Sequence, residues 1–177
     1  MFRKLVPTSM LVAVCVAGAV EIGCPPANSP SWWQNYLQNP VEQTQSFEEG
    51  VNVVLQGLQV AWTFVQPLIP AAQQATATQA YLAGVASVTN AEQILLDAAQ
   101  AIVAAGGTDA GPANIQALMQ DVSNAISSVI AIVQQWQTIL ATHTDGGAGV
   151  TVPGLASAVT AHKSLQVRFL HTPDAGH

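Results

Sequence analysis

Between Phe47 and Val65 the large apolar residues are Phe47, Val51, Val54, Leu55, Leu58, Trp62 and Val65, mostly three or four positions apart. That spacing follows the turn of an α-helix and places them on one face. It predicts a helix from Pro40 to about Gln66. Asn39 is placed to cap it, Pro40 suits the first helical position, and Glu42 completes a capping arrangement at the third. Pro67-Leu68-Ile69-Pro70 breaks the pattern, because the residue before a proline avoids helical geometry.

A second helical region is predicted over 71–105, with Tyr81, Val85, Val88, Leu95, Ala98, Ala99 and Ile102 marking the inward face. Thr89-Asn90-Ala91-Glu92 has the form of a capping box, which predicts two helices with a break near Ser87. Gly106-Gly107 is a stop. The third helix opens at Gly111-Pro112 and runs to about His143. Ile115, Leu118, Met119, Val122, Ile126, Val129, Ile130, Val133, Trp136 and Leu140 form its wide apolar stripe, broad enough to meet two neighbours. Trp136 lies on that stripe, so truncating it to alanine is expected to cost roughly 3–5 kcal/mol. In the remainder, Pro153 starts a short helix with Leu155, Val159, Leu165 and Phe169 inward, or else 167–170 is extended. Residues 172–177 read as frayed. No segment alternates as a sheet protein does, and strand signal is confined to 150–152 and 165–170. The fold class expected is all-α, a three- or four-helix antiparallel bundle.

Charge sharpens this picture. Arg3 and Lys4 are followed by 158 residues without a Lys or Arg, until Lys163 and Arg168. With a formal net charge of −6, the chain has no cationic face for phosphate or anionic head groups. Solvated surfaces fall to Asn, Ser, Thr and the 18 Gln residues.

The first two dozen residues form a separate unit. Phe2-Arg3-Lys4 is a positive start, and Met10 to Val20 is an apolar run of 11 residues, too short to span a bilayer. Glu21-Ile22-Gly23-Cys24 follows, with Pro25-Pro26 directly after. This segment resembles a bacterial lipoprotein precursor with a degenerate lipobox ending at Cys24. Gly23 and Ile22 fit that pattern; Glu21 departs from it where Leu is usual. The resemblance implies cleavage before Cys24, acylation of Cys24 with palmitate among the acyl groups, and, since Pro25 rather than Asp follows, an outer-membrane destination facing the periplasm. The competing expectation is ordinary secretory cleavage after Ala19, at Ala17-Gly18-Ala19, releasing a secreted or periplasmic protein. Either way Cys15 leaves with the leader, so the mature chain can hold no internal disulfide. The division expected is a signal peptide over 1–23, a lipid anchor and Pro-rich tether over 24–40, and a bundle with its tail over 41–177. Trp32, Trp33, Tyr36 and Leu37 within the tether either form an interfacial foot or fold back onto the core.

Candidate chemistry is sparse. His143, Asp145, His162, His171, Asp174 and His177 are the His and carboxylate groups that a zinc or copper ion would draw on, but their spacing matches no metal motif. They read as solvated tail residues, with His162 at a helix edge. Glu48-Glu49 is an acidic doublet whose members diverge by about 100° on a helix, so they read as solvated. Gly146 to Gly149 follows a helix rather than opening one, the wrong placement for a phosphate cradle. Trp62, Tyr81 and Trp136 read as core rather than as a ligand box. No catalytic residue, cofactor-binding residue or metal ligand is nominated; the one site residue is Cys24, for lipid attachment. The function expected is non-enzymatic: an envelope lipoprotein acting as a structural or adaptor module, held to the membrane by its lipid, with a protein partner and no nucleic acid. Alternatives are a carrier of small apolar ligands or lipids, and a phage- or prophage-encoded accessory lipoprotein acting in lysis or exclusion.

Overall fold

The computed structural model describes residues 36, 38–106, 112–143 and 150–170. Four helices account for most of them: α1 (Pro40–Val65), α2 (Ala71–Ala104), α3 (Pro112–His143) and α4 (Leu155–Phe169). A single 3₁₀ turn, Gln66–Leu68, joins α1 to the bend before α2. The described residues contain no strand. The fold is the expected all-α bundle, with four helices among the described residues.

The helices alternate in direction. Trp62 stacks on Tyr81 and Gln66 meets Thr78, so α2 returns along α1. Gly84 of α2 lies against Val129 of α3. The Gln137 amide of α3 donates to the Val150 carbonyl ahead of α4, and Ser123 meets His162. Phe169 then returns to Phe47 at the start of α1. The core runs down the middle, with Val51, Val54 and Leu58 from α1, Val88 and Leu95 from α2, Met119, Ile126 and Val133 from α3, and Leu165 and Phe169 from α4. These are the residues that the three-and-four spacing put inward.

Three details differ from the sequence expectation, and a fourth decides an alternative it left open. α2 is continuous through Ser87. The Thr89 hydroxyl donates back to the Val85 carbonyl and that of Ser87 to the Ala83 carbonyl. Spent on the preceding turn, they cap no new helix, and buried Val88 ties the segment to the core. At the start of α1, Pro40 is the first helical residue, but the Asn39 side chain makes no capping bond; its carbonyl accepts from the Gln43 amide instead. Trp136 is half-buried, packed against the core rather than within it. The α3 stripe is wider than the contact surface, and Trp136 falls at its margin, so the full cost of burying an indole does not apply there. Residues 167–169 are helical, with Val167 exposed and Phe169 buried.

Tyr36 settles one alternative for itself. It is fully buried, and its hydroxyl shares a hydrogen bond of 3.0 Å with Thr44. Burial pushes its phenol above the usual range, with the Thr44 bond opposing. The chain therefore enters the bundle at the Pro40 end of α1. Trp32, Trp33 and Leu37 lie outside the described residues.

Candidate functional site

Of the residues singled out from sequence, Cys24, Asp145, Gly146 to Gly149, His171, Asp174 and His177 lie outside the described residues, as does the side chain of His143. Among the described residues no group of three or more metal-ligating side chains forms, and no helix is long and apolar enough to cross a membrane.

His162 is not the edge residue expected. It is 6% exposed, and its Nε2 lies 2.9 Å from the Ser123 Oγ. The Gln166 amide donates to the same hydroxyl at 3.1 Å. Burial lowers the imidazole below its ordinary value, with contact to Ser123 opposing, so the ring is neutral at pH 7. A serine beside a neutral histidine is half of a nucleophilic arrangement. Ser123, however, is fully buried, and a nucleophile must reach its substrate. The cluster pins α4 to α3 by satisfying polar groups inside the bundle. Its members are 39 and 43 residues apart, which no spacing rule reaches.

Glu48 also has a role that its doublet concealed. Glu49 is exposed and Glu48 half-buried, facing half-buried Glu92 of α2. Burial raises the Glu48 carboxyl. Burial, and then the charge of Glu48, push Glu92 up to about 7. A carboxyl held above its unfolded value of 4.5 favours the native state at low pH, an advantage lost as pH rises through about 7. Solvent screening at this partly exposed position holds the effect to about 1–2 kcal/mol. Glu92→Gln is accordingly expected to gain about 1 kcal/mol near pH 8 and to flatten stability between about pH 5 and pH 8. Urea unfolding across that range reads the slope; an unchanged slope in the variant would place the titrating group elsewhere.

The larger feature emerges when charge is mapped onto the alternating helices. Glu42, Glu48 and Glu49 lie in the first ten residues of α1, Glu92 and Asp97 in the second half of α2, Asp121 in the first third of α3, and Lys163 and Arg168 in the second half of α4. Antiparallel packing brings all eight to one end, the end that Tyr36 enters. Residues 50–91, 122–143 and 150–162 carry no Asp, Glu, Lys or Arg. The other half of the bundle is therefore charge-free over its described length.

That half is also apolar on its surface. Val53, Val60, Phe64, Leu68 and Leu82 are exposed there. A groove between α1 and α2 is lined by Leu55, Gln59, Thr63, Leu82 and Val85, with the Trp62–Tyr81 pair as part of its wall. The two rings stack at 4.5 Å with 5° between planes, as core-reading aromatics should. Across the outer ridge of α1, Gln59, Val60, Thr63, Phe64 and Pro153 line a second depression. Tyr81 is the one titratable group lining either, and burial raises its phenol. Such a surface offers apolar contact and neutral hydrogen bonds, without a charged group to move a proton or hold a phosphate. The sequence shows a long span without Lys or Arg, but not how its uncharged stretches stack. No protein-family model matches the chain, and comparison with curated proteins and with solved structures finds no significant match.

Proposed function

We propose that this protein is a non-enzymatic, lipid-anchored adaptor of a bacterial envelope, joined through Cys24 to the outer membrane and carrying its charge-free half away from the bilayer. The observation that carries this reading is the burial of Tyr36 at the charged end. Cys24 precedes Tyr36 by 12 residues, which span at most about 43 Å when fully extended. An anchor at Cys24 keeps the charged end within that distance of the membrane. The 26 residues of α1 allow the opposite end to stand up to about 39 Å further out, within reach of other molecules in the envelope. Carriage of a ligand within the core has less support: at Gly50, Gly57 and Gly84 the helices already touch side chains of their neighbours, leaving those crossings closed.

Cys24→Ala is expected to remove the anchor and leave the bundle intact, because no described helix is long and apolar enough to cross a membrane. Stable attachment takes more than one acyl chain, so the difference should be complete rather than partial. Both forms are expressed in a Gram-negative host, fed labelled palmitate and fractionated. Wild type should carry label in the outer membrane, and the variant should be unlabelled and either unprocessed or periplasmic. A soluble, unlabelled wild type beginning at Val20 would overturn the anchor and establish cleavage after Ala19.

A further inference from the structure

We infer that His162 makes the seating of α4 sensitive to acid: when the ring takes up a proton, α4 opens from the bundle while α1, α2 and α3 stay together. The inference goes beyond the adaptor reading and does not depend on the anchor.

Three observations carry it. The first is hydrogen-bond geometry. The Gln166 amide donates to the Ser123 Oγ at 3.1 Å, and the same oxygen lies 2.9 Å from the His162 Nε2. A hydroxyl has one proton to give. With Gln166 already donating to it, Ser123 matches the neutral ring whose Nε2 accepts that proton. A protonated ring has donors at both nitrogens. The Ser123 oxygen would then face two donors, and its own proton would need a new acceptor. Turning over the Gln166 amide would supply one, but the ring's charge would remain.

The second is the surroundings of the ring. His162 is 6% exposed and Ser123 is fully buried. α1 crosses α4 with Gly50 against Leu165 and Gly57 against Ala158, and residues 50–57 hold no titratable side chain. Glu42, Glu48 and Glu49 of α1 come before that crossing. On α3 the charged residue is Asp121, exposed and two positions before Ser123; on α4 it is Lys163, exposed and next to the ring in sequence. Glu92 of α2 faces Glu48, and Asp97 lies beyond it. The influences on the ring are burial, which lowers its pKa, and Ser123, which opposes. No carboxylate is placed to offset a positive charge there, and an unpaired buried charge is costly.

The third is α4 itself. It has 15 residues, against 26, 34 and 32 for the other helices. A helix that short is not stable alone, and local opening draws on such weakly held elements. Acid acts the other way at the contact between α1 and α2, because Glu92 takes up its proton near 7 and the native pair favours the neutral form. The same acid thus loosens α4 and steadies its neighbours.

Because the folded ring binds its proton less readily than a free one, the docked state is fully favoured above the ordinary histidine value of 6.5. That advantage is lost as pH falls from there through the folded ring's own midpoint. The test follows hydrogen exchange of the full Cys24→Ala chain by mass spectrometry between about pH 7.5 and about pH 5, each rate divided by the intrinsic rate at that pH. Protection of α4 should fall by about threefold or more across that range, while α2 and α3 change by less than about twofold. His162→Gln keeps a hydrogen-bonding side chain without a titrating ring and leaves every carboxylate in place. In that variant α4 protection should stay constant within about 1.5-fold. Should it fail to fold, the His162 ring signal of the parent chain decides, and by NMR it should titrate below 6.5. A ring titrating at or above that value, α4 protection that ignores pH, the same fall in His162→Gln, or equal loss in all four helices would each overturn the inference. Palmitate labelling of wild type tests the anchor separately, so either idea can fail without the other.

Discussion

Phe47→Ala is expected to lower stability by about 4 kcal/mol, in the range for truncating a buried aromatic. Phe47 is fully buried and meets Phe169 edge-on, with ring centroids 5.2 Å apart at 89°. The Arg168 guanidinium sits 5.0 Å from the centre of the Phe169 ring and donates to the Ser46 hydroxyl at 3.2 Å. One contact thus joins the first turns of α1 to the last turn of α4, and α4, with 15 residues, cannot hold its helical form alone. Against a total of about 5–15 kcal/mol for a domain, the loss removes a large share. Denaturant titration followed by tryptophan fluorescence measures it. Val53→Ala, on the same helix at a site 57% exposed, should change stability by less than about 0.5 kcal/mol. A double-mutant cycle with Phe169→Ala should return about 1 kcal/mol of coupling for the ring pair. Equal losses at Phe47 and Val53 would show that the phase of α1 is wrong.

Gly154→Ala is expected to cost about 3 kcal/mol, combining backbone strain with a collision. Gly154 has φ +81°, and a Cβ there would lie 2.6 Å from the Gly57 carbonyl oxygen and 3.0 Å from the Val60 Cβ. The oxygen belongs to the backbone of α1 and cannot swing aside. Gly57 is equally confined, with the Ala158 Cβ 3.0 Å from where its own would be. Relief requires α4 to move off α1. Gly106 supplies the control: it has φ +71°, and no described atom lies within 4 Å of a Cβ there. Gly106→Ala should therefore cost only the left-handed strain, about 1 kcal/mol. The gap between the two variants, read as the difference in unfolding midpoint at constant slope, isolates the price of the close α1–α4 approach. Similar losses at both positions would mean that α4 is held less tightly than this packing shows.

The helices and their inward faces were legible because their signal is local. Phe47, Val51, Val54 and Leu58 repeat with the turn of the helix they belong to, Pro67 and Pro70 interrupt it, and Gly106 ends α2; each judgement needs a window of a few residues. The uncharged stretches were equally visible along the chain. The capping box at Thr89 was misleading because a local pattern competes with burial: Val88 is fully buried in the core, which contributes more than Thr89 would by capping a new helix. Trp136 was misplaced because a stripe shows which residues are apolar and not how far the neighbouring helix reaches. Everything depending on two helices at once was decided by the tertiary structure. Glu48 meets Glu92, Ser123 meets His162, and Gly57 meets Gly154 across 44, 39 and 97 residues of sequence. Those meetings follow from the axial register of antiparallel helices, which is set by close packing over the whole bundle. The same register gathers eight charges at one end and leaves the described residues of the other without Asp, Glu, Lys or Arg. The one-dimensional sequence carries each charge's position along its own helix, and only the alternation of helix direction turns those positions into a face.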